Sequence, residues 1–61
     1  MIDDIDGNRR FLIINYNESK SLPGSEFNRL VKQIVSEGWV IHNVSTDPME
    51  FVIEFVKKDK L

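Results

Sequence analysis

Phe27, Leu30, Val31, Ile34 and Val35 recur at the spacing of one helical face, while Asn28, Arg29, Lys32, Gln33 and Ser36 fill the other side. This amphipathic stretch predicts a helix that opens at Ser25, or one turn earlier at Ser21, with Glu26 favourable in its first turn. It stops at Gly38, the residue expected in the left-handed conformation that ends helices. With Gly38 just past the end, Trp39 should land over Ile34.

Three other segments carry strand patterns. Arg10–Tyr16 contains the consecutive run Phe11, Leu12, Ile13, Ile14, and an apolar run without alternation implies cover on both faces. Trp39–Ser45 follows the helix directly. Met49–Lys57 alternates, with Met49, Phe51, Ile53 and Phe55 on one face and Glu50, Val52, Glu54 and Val56 on the other. Asn17–Gly24 reads as a polar loop and Thr46-Asp47-Pro48 as a turn. Residues 1–9 read as a loose acidic arm containing Gly7-Asn8, and residues 57–61 as a frayed charged tail. The expected fold class is therefore α+β in the order β-α-β-β: a three-stranded antiparallel sheet, the last strand in the middle, with one helix on one face.

The 61 residues make a single small domain, and a chain this short buries only about 60% of its unfolded surface. Without cysteine, no disulfide or thiolate metal site can staple it. Eight basic and ten acidic residues, interspersed, give a net charge of −2, unlike the field of a dedicated nucleic-acid binder. No apolar run approaches a membrane span, and the acidic start Met1-Ile2-Asp3-Asp4 is no signal peptide, so a cytoplasmic protein is expected. The richness in Ile, Asn and Lys suggests a bacterial or phage origin.

The helix end, with Leu30, Glu37, Gly38, Trp39 and Val40-Ile41, resembles small bacterial domains of unknown function that carry the run L-x-x-L-x-x-E-G-W-E-L-V. Val40 departs from that pattern, which prefers an acid there. The resemblance implies a fold and no activity.

Candidate chemistry is sparse. Asp4-Ile5-Asp6-Gly7-Asn8 offers alternating oxygens, but a calcium loop wants Gly at its sixth position and a bidentate Glu at its twelfth, and here Gly7 falls at the fourth and Asn15 at the twelfth. His42, the single histidine, has Asp47 and Glu50 across a turn and too few partners for a zinc site or a catalytic base. Pro23-Gly24-Ser25 is no phosphate loop. The chain reads as non-enzymatic, with no cofactor and no metal.

One helix covers one sheet face, so the other should stay open. Val52, Val56, Val40 and Val44 are assigned to that face, with Tyr16, His42, Glu50 and Glu54 around them. Either Leu12 and Ile14 or Phe11 and Ile13 join them from the first strand; the expected protein interface is Tyr16, Val52, Val56, Val40, Val44, Leu12 and Ile14. Such an apolar centre inside a polar rim is the form of a contact surface, unless Ile2 and Ile5 of the arm fold across it. The expectation is a regulator or inhibitor of a larger protein that binds through this face or a sheet edge, and that self-associates as a homodimer. The alternative is accessory nucleic-acid binding through Arg29, Lys32 and the tail lysines Lys57, Lys58 and Lys60.

Overall fold

The computed structural model describes all residues, Met1–Leu61. The elements run β1 (Ile2–Asp6), β2 (Arg9–Asn15), α1 (Tyr16–Ser19), α2 (Gly24–Ser36), β3 (Trp39–Thr46) and β4 (Glu50–Lys57), closed by a 3₁₀ turn at Lys58–Lys60. The strands form one antiparallel sheet in the order β1-β2-β4-β3.

This overturns the three-stranded fold. The acidic arm is a strand, not a loose segment: Ile2 to Asp6 pair with Ile13 to Arg9 across a two-residue turn. Gly7 holds φ 61° there, the conformation a tight hairpin demands at its first central residue and glycine supplies without strain. The far end is also ordered. Lys57 completes β4 and its N–H donates to the Asn8 carbonyl (3.0 Å), while the Lys58 N–H donates to the Gly38 carbonyl (2.8 Å).

Helix α2 begins one residue before Ser25. Pro23, extended at ψ 140°, is the N-cap, and its carbonyl accepts from the N–H groups of Glu26 (3.0 Å) and Phe27 (3.1 Å). No side chain caps this end, so neither Ser25 nor Ser21 has that role. The helix stops where Gly38 turns to φ 95° and its N–H donates to the Val35 carbonyl at 3.1 Å. The β2 strand ends at Asn15 rather than Tyr16, because the Asn15 carboxamide accepts from the Asn17 N–H (2.8 Å) and starts the short α1.

The core consists of Leu12, Ile14, Ile34, Trp39, Ile53 and Phe55, with Phe27, Leu30, Val31 and Phe51 packed against it. Each of these large side chains contributes about 1.5–3 kcal/mol on burial. Phe51, Ile53 and Phe55 thus lie under the helix, but Met49 does not: it sits exposed in the turn before β4. The turn is held by Asp47, whose Oδ1 accepts from the N–H groups of Met49 (2.7 Å) and Glu50 (2.9 Å).

Candidate interaction surface

Side chains alternate between the two faces of each strand, and cross-strand partners share a face. Leu12 and Ile14 are fully buried beneath the helix, so Phe11 and Ile13 take the outward positions of β2. In register, Ile13 stands beside Val52 and Ile2, Phe11 beside Glu54 and Asp4, and Arg9 beside Val56 and Asp6. On the other flank, Val40 pairs with Val56 and Ser45 with Val52. Phe11, Ile13, Val40, Val52 and Val56 are half-buried, supported by their sheet neighbours, with no helix or loop over them.

Glu54 lies in the middle of this face rather than on its rim. It is bonded to the Arg9 guanidinium, and its other oxygen stands 3.6 Å from His42 Nδ1. The Arg9–Glu54–His42 chain divides the apolar surface in two. Phe11, Ile13, Val52 and Ile2 lie on one side of it, and Val40 and Val56 on the other.

Of the seven residues expected at the interface, Val40, Val52 and Val56 occupy the open face. Leu12 and Ile14 are core residues. Tyr16 is at the start of α1, its ring 6.0 Å from that of Phe51 and therefore on the helix side. Val44 is displaced by a β-bulge between Ile41 and Asn43, which leaves His42 as the extra residue. Beyond the bulge the alternation inverts, and Val44 pairs with Ile53 on the helix side. Ile41, opposite Phe55, also points to that side, but the helix does not reach it and it is 52% exposed. The arm does not cover the open face either: Ile2 and Ile5 fall on opposite faces of β1, opposite Ile13 and Arg10.

Arg10 was not anticipated as a buried residue. Its guanidinium donates to both carboxylate oxygens of Asp3 (2.8 and 2.6 Å) and to Glu37 Oε2 (2.8 Å), and lies 5.7 Å from the Trp39 ring centre. These bonds hold the Asp3 carboxyl below its ordinary range and the guanidinium above its own. The only sequence signal is the density of acids in Asp3-Asp4-Ile5-Asp6 just before the pair Arg9-Arg10.

The acidic residues of β1 are spread by the strand, with Asp3 turned toward Arg10 and Asp4 and Asp6 toward the open face, and no three His, Asp or Glu side chains converge as a metal would need. The cations of the alternative reading do not form one patch. Arg29 lines a hollow with Glu26 and Gln33 on α2, whereas Lys57, Lys58 and Lys60 border a separate one with Asn8 and Gly38. Lys57 holds its ammonium 4.6 Å over the Trp39 ring. No helix is long and apolar enough to cross a membrane.

No family model matches the chain, and no curated protein or solved structure matches it either.

Proposed function

We propose that this chain is a small non-catalytic protein-binding module, a regulator or inhibitor of a larger protein in a bacterial or phage cytoplasm, acting through the open face of its sheet. The observation that carries this reading is the group Phe11, Ile13 and Val52, three large apolar side chains only half-buried on the sheet face opposite the core. A rigid aromatic and branched aliphatic side chains supply contact area with little rotamer entropy to lose. Beside them, Asp4, Asp6, Arg9 and the central Glu54 set which partner charges are accepted, since charges across an interface act mainly on specificity and on-rate. The mechanism is occlusion of the partner's surface. Nucleic-acid binding is the weaker reading, because Arg29 lies apart from the hollow that Lys57, Lys58 and Lys60 share with Asp59, and Lys57 is stacked over Trp39.

A tagged chain and its Val52→Lys form, expressed in the native host, test this reading. A partner recovered by the wild type and lost by the variant supports it. A partner retained by both removes the open face from the function.

A further inference from the structure

The two edges of the sheet differ in kind. Edge β1 reads Ile-Asp-Asp-Ile-Asp, and pairing it with a copy of itself would set aspartates against aspartates. Edge β3 reads Trp-Val-Ile-His-Asn-Val-Ser-Thr over 8 residues, with no acid, lysine, arginine or proline. Its outward N–H and C=O groups have no neighbouring strand. Beside them, on the helix side, Ile41 and Val44 are 52% and 55% exposed, outside the cover of α2.

The bulge gives this edge a symmetry. Trp39, Ile41, Val44 and Thr46 pair with Lys57, Phe55, Ile53 and Phe51, the helix-side residues of β4. Val40, Asn43 and Ser45 pair with Val56, Glu54 and Val52 on the open side, and His42 reaches Glu54 there too. Read along the strand, the faces run helix, open, helix, open, then open, helix, open, helix. The pattern is a palindrome centred between His42 and Asn43.

We infer that β3 pairs antiparallel with β3 of a second copy of this chain, about a two-fold axis between His42 and Asn43, joining two sheets into one. In that register Ile41 meets Val44 of the copy, His42 meets Asn43, Val40 meets Ser45 and Trp39 meets Thr46. Every pair is matched in face. A regular strand laid on the same edge must skip a residue at the bulge to stay in face, which is how bulges ordinarily protect sheet edges. A copy carrying the same bulge at the same central point has no such mismatch, and the contact is self-complementary as a two-fold interface requires. The main-chain ladder supplies the affinity, and the two Ile41–Val44 pairs bury side chains that the single chain leaves in water. The two open faces then lie side by side as one continuous surface, while each keeps its own Phe11, Ile13 and Val52. This pairing does not depend on what those residues bind.

Light scattering from micromolar to millimolar chain concentration tests it on four proteins: the wild type, Ile41→Lys/Val44→Lys, Ile41→Glu/Val44→Glu, and Val52→Lys. The expected result is a mass of two chains for the wild type and for Val52→Lys, and of one chain for each double variant. An equimolar mixture of the two double variants should recover the mass of two, because lysines then face glutamates across the axis. All substituted positions are at least partly solvent-exposed, and thermal melts report whether each variant folds. Should a double variant fail to fold, amide exchange in the wild type decides: β3 amides must slow as concentration rises. A wild type that stays a single chain at every concentration overturns the proposal. So does a pair that survives both double variants, or one broken by Val52→Lys instead.

Discussion

Arg10 grips Asp3 with two parallel hydrogen bonds, 2.8 Å from Nε and 2.6 Å from Nη2, and by this fork the outermost strand is fastened to the core. The third bond, to Glu37, reaches the last turn of the helix, so one guanidinium ties together β1, β2 and the α2 terminus. The geometry is the planar bidentate match that lysine cannot reproduce.

This fork makes stability pH-dependent. Asp3 is held below its ordinary value in the folded chain, so its contribution is complete above the unfolded carboxyl range and is lost as the pH falls through the folded value. The urea midpoint of the wild type should therefore exceed that of Asp3→Asn at neutral pH, and the gap should narrow as the pH falls below the unfolded carboxyl range. Arg10→Met should cost about 1 kcal/mol at neutral pH, since the exposed carboxylates of Asp3 and Glu37 exchange their donor for water. A gap between wild type and Asp3→Asn that is the same at both ends of the pH range would break the link.

Gly38 carries the helix stop. A Cβ there would meet nothing within 4 Å, so the penalty for substitution comes from the backbone at φ 95° and not from crowding. Gly38→Val is expected to cost at least about 1 kcal/mol, and Gly38→Asn less, because asparagine tolerates the left-handed region better. Chemical denaturation of the three proteins checks the order.

Asp47 accepts two backbone N–H groups in the β3–β4 turn. Asp47→Ala should lower stability by about 1 kcal/mol, the usual worth of such a bond, and Asp47→Asn should recover most of it. Both variants are read by thermal melting.

Nucleic-acid binding, if measured by fluorescence anisotropy on labelled single- and double-stranded oligonucleotides, should be weak and should vanish between low and physiological salt. Lys57, Lys58 and Lys60 share one hollow with the acid Asp59 and Arg29 lines another with Glu26, so few phosphates can be neutralised at once. Sub-micromolar binding at physiological salt would contradict this.

The helix and the alternating β4 were legible because each rests on a pattern within one segment: the 3.6-residue stripe ending at Gly38, and Phe51, Ile53 and Phe55 at every second position. β1 was not. Ile-Asp-Asp-Ile-Asp is poor in strand formers, and its place is secured by a side chain from the next strand, which no local pattern records. On the open face, Val40, Val52 and Val56 followed from alternation. Phe11 and Ile13 were harder, because their inward counterparts Leu12 and Ile14 share a face with Arg10, a charge that sequence reasoning sends to solvent. Val44 was misplaced by a one-residue bulge, which inverts every later position and leaves no mark in composition.

The most direct measurement of the central claim is calorimetric titration of a purified captured partner with wild-type chain and with Val52→Lys, alongside the melting temperature of each. Val52 is half-buried on the open face, where a lysine can reach water in the free chain but would lose that water and the valine's apolar contact in a complex. The variant is expected to melt within a few degrees of the wild type and to bind at least about 100-fold more weakly, a loss of about 2.7 kcal/mol. A variant that melts normally and binds the partner as tightly as the wild type would contradict it.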